Sequence, residues 1–219
     1  MPAPAPAAWP VTVADLRGGL LGSKEVSAGF MPVTGAVDED GPRAEFAGAG
    51  CEELARLLNG GKLPGSGAEA AVALSSGPQG GAAVEQLHAM DSPEAAAQVV
   101  ARYRREASRC REIRLSAAGA GASTFFVRPI SSVDVGDASF ATRGSAASSD
   151  GLVDHDFIQV TAHSGAVVVV MTLMGASPSD AETVTEAAVN RVHHKFAARE
   201  PRVLTDRGTG RSPIAKPWT

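Results

Sequence analysis

The second half of the chain alternates hydrophobic and polar residues, as strands with one buried face require. In residues 111–117, Ile113 and Leu115 point opposite to polar neighbours. Within a predicted strand at 167–173, residues 167–171 are apolar at successive positions, which predicts a central strand covered on both faces, with Val168 and Val170 packed on one of them. The remaining predicted strands of this half are residues 123–130, 139–144 and 157–163, and Ser164-Gly165 is a hairpin turn signal before the apolar run.

Apolar residues recur at helical spacing in four other segments. The clearest helix spans residues 92–110, with Ser92 as the N-cap, Pro93 at the first position and Glu94 in the first turn. The other helices are predicted at 11–21, 51–58 and from Ser177-Pro178 onward, and further strands at 30–34, 68–75 and 81–90. Strands joined by short turns, with helices at intervals, predict an α+β fold: an antiparallel β-sheet flanked by about four helices.

This pattern fills one domain, residues 11–196, and leaves two irregular ends. Residues 1–10 are rich in proline and alanine, which is typical of an extended tether. Residues 197–219 carry basic residues and helix-breaking residues, which predicts an irregular basic C-terminal tail.

Cys51 and Cys110 are the two cysteines of the chain, and each lies on the apolar stripe of a predicted helix. Two inward thiols fit one structural disulfide, which would place the chain in an oxidising compartment outside the cytosol. The alternative is a pair of free cysteines acting as small buried hydrophobic residues.

Composition narrows the classes of function. The chain has 219 residues and a formal net charge of −4, which argues against nucleic acid as the main partner. No apolar run is long enough to span a membrane, and no secretion signal is present at the start of the sequence. If the disulfide forms, we expect an export signal to have been removed; the alternative is a native cytoplasmic start.

No motif predicts a catalytic site, a metal site or a cofactor. In Asp154-His155-Asp156, neighbouring side chains of a strand point to opposite faces, and His193-His194 diverge on a helix. Ser164, His163 and Asp137 are the residue types of a hydrolase triad, but no nucleophile elbow accompanies them.

Four polar residues on predicted strands remain as candidate ligand-binding residues: Arg128, Arg143, His155 and Gln159. His155 and Gln159 share one face of their strand, which is either solvated or the floor of a cleft. Arg128 shares its face with Phe126 and Ile130, so a buried or half-buried guanidinium there would need a partner, and a carboxylate such as Asp137 could supply it and make Arg128 structural. The alternative for these residues is an ordinary outward-facing position. The arginines between 102 and 114 form a basic cluster that is either a solvated face or a contact for an anionic partner.

The sequence resembles the PknH-like extracellular sensor domains of actinobacteria over residues 11–196. The resemblance lies in Val13-Ala14-Asp15-Leu16, in Cys51 before Leu54 and Leu57-Leu58, in the 92–110 helix ending in cysteine, in Val135-Gly136-Asp137-Ala138-Ser139, and in the strand at 167–175 with its following helix. It implies an antiparallel sheet flanked by helices, a cleft beside the sheet, and a role in sensing or binding a ligand. The mycobacterial kinase domain has two disulfides, whereas this chain can form one, and no kinase motif is present.

From these observations we expect an extracytoplasmic, non-catalytic binding or sensing domain of the cell envelope, of the free-standing lipoprotein type. Its partner would be a small molecule or an envelope component, with a lipid anchor upstream of this sequence as the route to the membrane. The alternative is a secreted or envelope-associated enzyme that uses a polar cleft beside the sheet.

Overall fold

The structure, a computed structural model, describes residues 11–22, 30–33, 45–47, 51–58, 62–77, 81–117, 121–130, 133–147 and 153–196. The predicted tether at 1–10 and the predicted tail at 197–219 lie outside the described residues. The described helices and strands are α1 (Val13–Arg17), β1 (Met31–Pro32), β2 (Glu45–Ala47), α2 (Glu52–Leu58), β3 (Ala68–Ser75), β4 (Ala82–Ala89), α3 (Pro93–Arg109), β5 (Glu112–Ala117), β6 (Gly121–Ile130), β7 (Ala138–Ala147), β8 (Val153–Ser164), β9 (Val167–Met174) and α4 (Pro178–Phe196).

All nine described strands belong to one sheet, in the order β1-β3-β4-β9-β8-β7-β6-β5-β2. Every neighbouring pair is antiparallel. Strands β5 to β9 follow one another as a meander, and the β3–β4 hairpin joins the sheet through β9.

The helices pack on both faces of the sheet. α1 lies on β3 and β4, and α4 lies on β8 and β9, on the face that carries Val160, Val169 and Met171. α3 packs across β6 to β9 on the opposite face, where Val168 and Val170 are completely buried. α2 packs beside α3 on that same face. Residues 167–171 of the central strand β9 are therefore enclosed from both sides, as their unbroken apolar sequence predicted.

Local sequence signals explain where the helices begin and end. The Ser92 hydroxyl accepts a hydrogen bond from the Ala95 N–H (3.2 Å), so the predicted N-cap of α3 is confirmed. The Thr12 hydroxyl caps α1 in the same way, and the Asp15 carboxylate completes a capping box. α1 ends at Arg17, earlier than predicted, because Gly18 terminates it.

The α+β fold and the disulfide are confirmed. Cys51 and Cys110 are bonded, with their Cα atoms 5.9 Å apart and a sequence separation of 59. β2 was not predicted, and Asp156 lies inside β8 where the sequence suggested the start of a strand.

Candidate functional site

The helices leave different parts of the two faces of the sheet uncovered. On the α2–α3 face, part of the surface of β3, β4 and β9 carries side chains that are half-buried or, at Met174, exposed. We call this surface the α2-side floor; its residues are Ala71, Ala73, Val84, Gln86, Thr172 and Met174. On the opposite face, Phe126 and Arg128 of β6 and Arg143 of β7 are exposed.

Gln159 forms the inner corner of the α2-side floor. It is 1% exposed, and its Nε2 donates to the Thr172 hydroxyl (3.0 Å) and weakly to the Leu57 carbonyl oxygen in α2 (3.5 Å). Its Oε1 is buried and accepts no hydrogen bond from any residue that the structure describes. A buried amide oxygen without a donor costs about 1–3 kcal/mol, so the position requires an explanation.

Two threonine hydroxyls beside Gln159 are also buried without a described hydrogen-bond partner. Thr142 lies directly opposite Gln159 in β7, and Thr161 follows two residues later in β8, so all three side chains point to the α2–α3 face. Both hydroxyl oxygens are buried, and neither has a hydrogen-bond partner within the described part of the chain. The corner therefore offers one fixed acceptor and two hydroxyl groups that can donate or accept.

His88 lies on the same face in β4 and is uncharged at neutral pH. Burial and, to a lesser degree, the positive charge of Lys62 lower the pKa of His88 to about 4. Its Nδ1 is 3.7 Å from the Glu69 carboxylate, too far for a hydrogen bond. A neutral imidazole next to the floor adds no positive charge to the Gln159 corner.

α2 forms one wall of this corner and is held firmly at its N-terminal end. The disulfide attaches Cys51, immediately before α2, to Cys110 at the end of α3. The Glu106 carboxylate of α3 accepts a hydrogen bond from the Leu54 N–H (2.9 Å). The weak contact between Gln159 and Leu57 lies at the opposite, C-terminal end of α2.

Arg128 and Arg143 lie together, but on the opposite face from Gln159. They are directly opposite each other in β6 and β7, and both are exposed. The Arg143 guanidinium donates to the Asp156 carboxylate (2.9 Å). A buried or half-buried Arg128 is not found: α4 packs on β8 and β9, and Arg128 on β6 is exposed. Asp137 instead accepts a hydrogen bond from the Gly165 N–H.

The other candidate residues occupy structural positions or lie outside the description. Asp137 accepts a hydrogen bond from the Gly165 N–H (2.8 Å), and His163 Nδ1 lies 3.2 Å from the Gly165 carbonyl oxygen, so both hold the β8–β9 turn. The Ser164 hydroxyl faces His193 Nδ1 at 3.4 Å. The side chain of His155 lies outside the described part of the structure.

Two further properties can be stated for the described residues. They contain no group of three or more His, Cys, Asp and Glu side chains placed to hold one metal ion. None of the helices described here has the length and hydropathy needed to cross a membrane.

Comparison with known proteins identifies the fold. No family model and no curated protein matches the chain. The crystal structure of the extracellular domain of PknH from Mycobacterium tuberculosis matches with a TM-score of 0.63 and 15% identity, covering 85% of this chain and 99% of that one. An uncharacterised protein from Mycobacterium smegmatis matches with a TM-score of 0.42 and 14% identity, covering 85% of this chain and 98% of that one. The chain therefore has the fold of the PknH extracellular domain, as its sequence resemblance predicted.

Proposed function

We propose that this chain is an extracytoplasmic ligand-binding or sensing domain of the cell envelope, and that its ligand contacts Gln159 and Thr172 on the α2-side floor. The observation that carries the proposal is the Gln159 side chain, which is fixed through Nε2 while Oε1 is buried without a donor from the described residues. Native proteins contain few such groups, and a ligand donor is one of the partners that explain them.

The extracytoplasmic location has two supports. A disulfide within the domain is typical of proteins that fold in an oxidising compartment. The matching PknH structure is that of an extracellular domain. Anchoring by a lipid, as in a free-standing lipoprotein, is the form of localisation that we propose.

The chemistry of the corner favours an uncharged ligand that donates hydrogen bonds. Gln159 Oε1 accepts only, and the Thr142 and Thr161 hydroxyls do either. Alanine, valine and methionine side chains line the adjacent floor. A hydroxyl or amide N–H on an otherwise apolar or sugar-like scaffold meets both requirements.

Binding would act on α2. Because Oε1 is enclosed, a ligand reaches it by replacing the weak contact between Gln159 Nε2 and the Leu57 carbonyl oxygen. The disulfide and the bond from Leu54 to Glu106 keep the other end of α2 in place. Displacement of the C-terminal end of α2 would then be the conformational signal of a sensor.

The test is a screen by native mass spectrometry for binding of soluble envelope glycans, short-chain lipids and metabolites. For every compound that binds the wild-type protein, the affinity is then measured with the variants. Gln159→Met and Thr172→Val should weaken binding at least about tenfold, since each removes a polar contact inside the site. Thr124→Val is the matched control, because Thr124 is also half-buried but faces the opposite side of the sheet.

Equal affinity of the wild-type protein and Gln159→Met for all retained compounds would reject the proposed site. Hydrogen exchange provides a second readout: amides at the end of α2 should change their exchange rates on binding. Conversion of a retained compound into product would instead support the alternative, an envelope-associated enzyme.

A further inference from the structure

The outer face of β6 and β7 carries an unusual pair of like charges. Arg128 and Arg143 are paired in register on adjacent antiparallel strands, which brings their Cβ atoms to about 5 Å, and like charges in this position repel. We call the surface formed by Phe126, Arg128 and Arg143 the arginine face. It lies on the opposite side of the sheet from the α2-side floor.

One of the two charges is already neutralised. Arg143 is 56% exposed and pairs with Asp156, which is itself 55% exposed. Arg128 is exposed and has no ion pair or hydrogen bond with another described residue. Glu112 pairs with Phe126 across β5 and β6, so it faces the same side, and it has an interaction of its own. In a chain of net charge −4, the guanidinium of Arg128 is therefore a local positive centre without a counter-ion among the described residues.

An apolar ring lies next to this centre. Phe126 precedes Arg128 by two residues on the same face of β6 and is 45% exposed. β6 and β7 are both paired on their two sides, so a partner cannot join them as an added strand. Any partner must be recognised by side chains alone.

We propose that the arginine face is an anion-binding site for an organic phosphate or carboxylate whose charged group adjoins a ring. The planar guanidinium forks of Arg128 and Arg143 match the oxygens of either group, and Phe126 supplies the apolar contact for the ring. The anion offsets the repulsion between the two arginines, and Asp156 competes with it for Arg143.

The probes are phenyl phosphate, benzoate and inorganic phosphate, titrated at constant ionic strength while the arginine Nε–Hε signals are followed by NMR. Phenyl phosphate or benzoate should give saturable shifts at Arg128 and bind more tightly than inorganic phosphate. Arg128→Gln should weaken binding at least about tenfold. Asp156→Asn should strengthen it several-fold because it releases Arg143, and Phe126→Ala should remove the advantage of the ring.

Arg105→Gln is the matched control, since it removes the same charge from an exposed position of α3. An equal loss of affinity in Arg105→Gln and Arg128→Gln would overturn the proposal in favour of diffuse charge attraction. An absence of saturable shifts at Arg128 would also overturn the proposal. So would binding that is detected with vesicles containing phosphatidylglycerol but with none of the three soluble probes. The melting temperature gives an independent readout: Arg128→Gln should leave it unchanged or raise it, whereas a structural arginine would lower it. None of these results depends on the Gln159 corner.

Discussion

Replacing Gln159 by methionine should stabilise the ligand-free protein. Methionine has a similar length and unbranched shape, so it can fill the same space. The substitution removes the buried Oε1, whose missing partner costs about 1–3 kcal/mol, and it loses the bond to Thr172, worth about 0.5–1.5 kcal/mol. The Thr172 hydroxyl is half-buried and can turn to water. The balance is a gain of about 1 kcal/mol in the free energy of unfolding.

Urea denaturation followed by circular dichroism measures this gain, and the m-value shows whether the unfolded reference has changed. The control is Gln98→Met, the same substitution at an exposed position of α3, where a change within about 0.5 kcal/mol is expected. Thr161→Val, which removes another buried hydroxyl without a described partner, should also stabilise. A loss of about 1 kcal/mol or more in Gln159→Met, at unchanged m-value, would refute the reasoning, because it would show that Oε1 is satisfied in the folded protein.

Three further predictions concern the sheet, the disulfide and the buried histidine. Val170→Asp should prevent cooperative folding, because it buries an unpaired charge at a fully enclosed position; a cooperative thermal transition for the variant would contradict this. Reduction of Cys51–Cys110 should cost about 4 kcal/mol in the chain-entropy model, measured by denaturation with and without reductant, and an unchanged midpoint would count against it. The pKa of His88 is lowered to about 4 in the folded state, so the unfolded state binds the proton more readily and stability falls as the pH drops from about 6.5 to 4, by up to about 3 kcal/mol. His88→Leu should remove that part of the pH dependence, and identical pH profiles for both proteins would argue against it.

The sequence predicted the structure best where one short segment contains the whole pattern that determines its conformation or burial. The apolar run of β9 predicts burial on both faces without reference to any neighbour, and the structure confirms it for Val168 and Val170. The cap of α3 at Ser92 is equally local. β2 escaped prediction because three residues, Glu45–Ala47, are too short for a period of two to stand out.

The candidate site depends on how the strands align with one another and where the helices pack. The periodicity of a single segment gives no information on either. Alternation within a strand shows that Gln159 and Ile158 point to different faces of the sheet, and that Arg128 and Val127 do so as well. Whether Gln159 and Arg128 share a face follows only from the register that aligns Arg128, Arg143 and Ile158 across three strands. Which half of each face the helices cover depends on tertiary packing, so the exposure of Arg128 could not be predicted from its neighbours in sequence.

The position of the β3–β4 hairpin has a consequence for how the chain folds. Its link to the sheet is β9, and their paired residues are distant in sequence: Ala89 pairs with Val167, 78 positions away, and Ala82 with Met174, 92 positions away. The β5–β9 meander, by contrast, needs only neighbouring segments. Loop closure over such a separation is slow, so we expect the meander to form first and the hairpin to dock last. Until β9 has been synthesised, β4 lacks this neighbour, and a chain of this design stays incompletely folded for as long as its C-terminal half is missing.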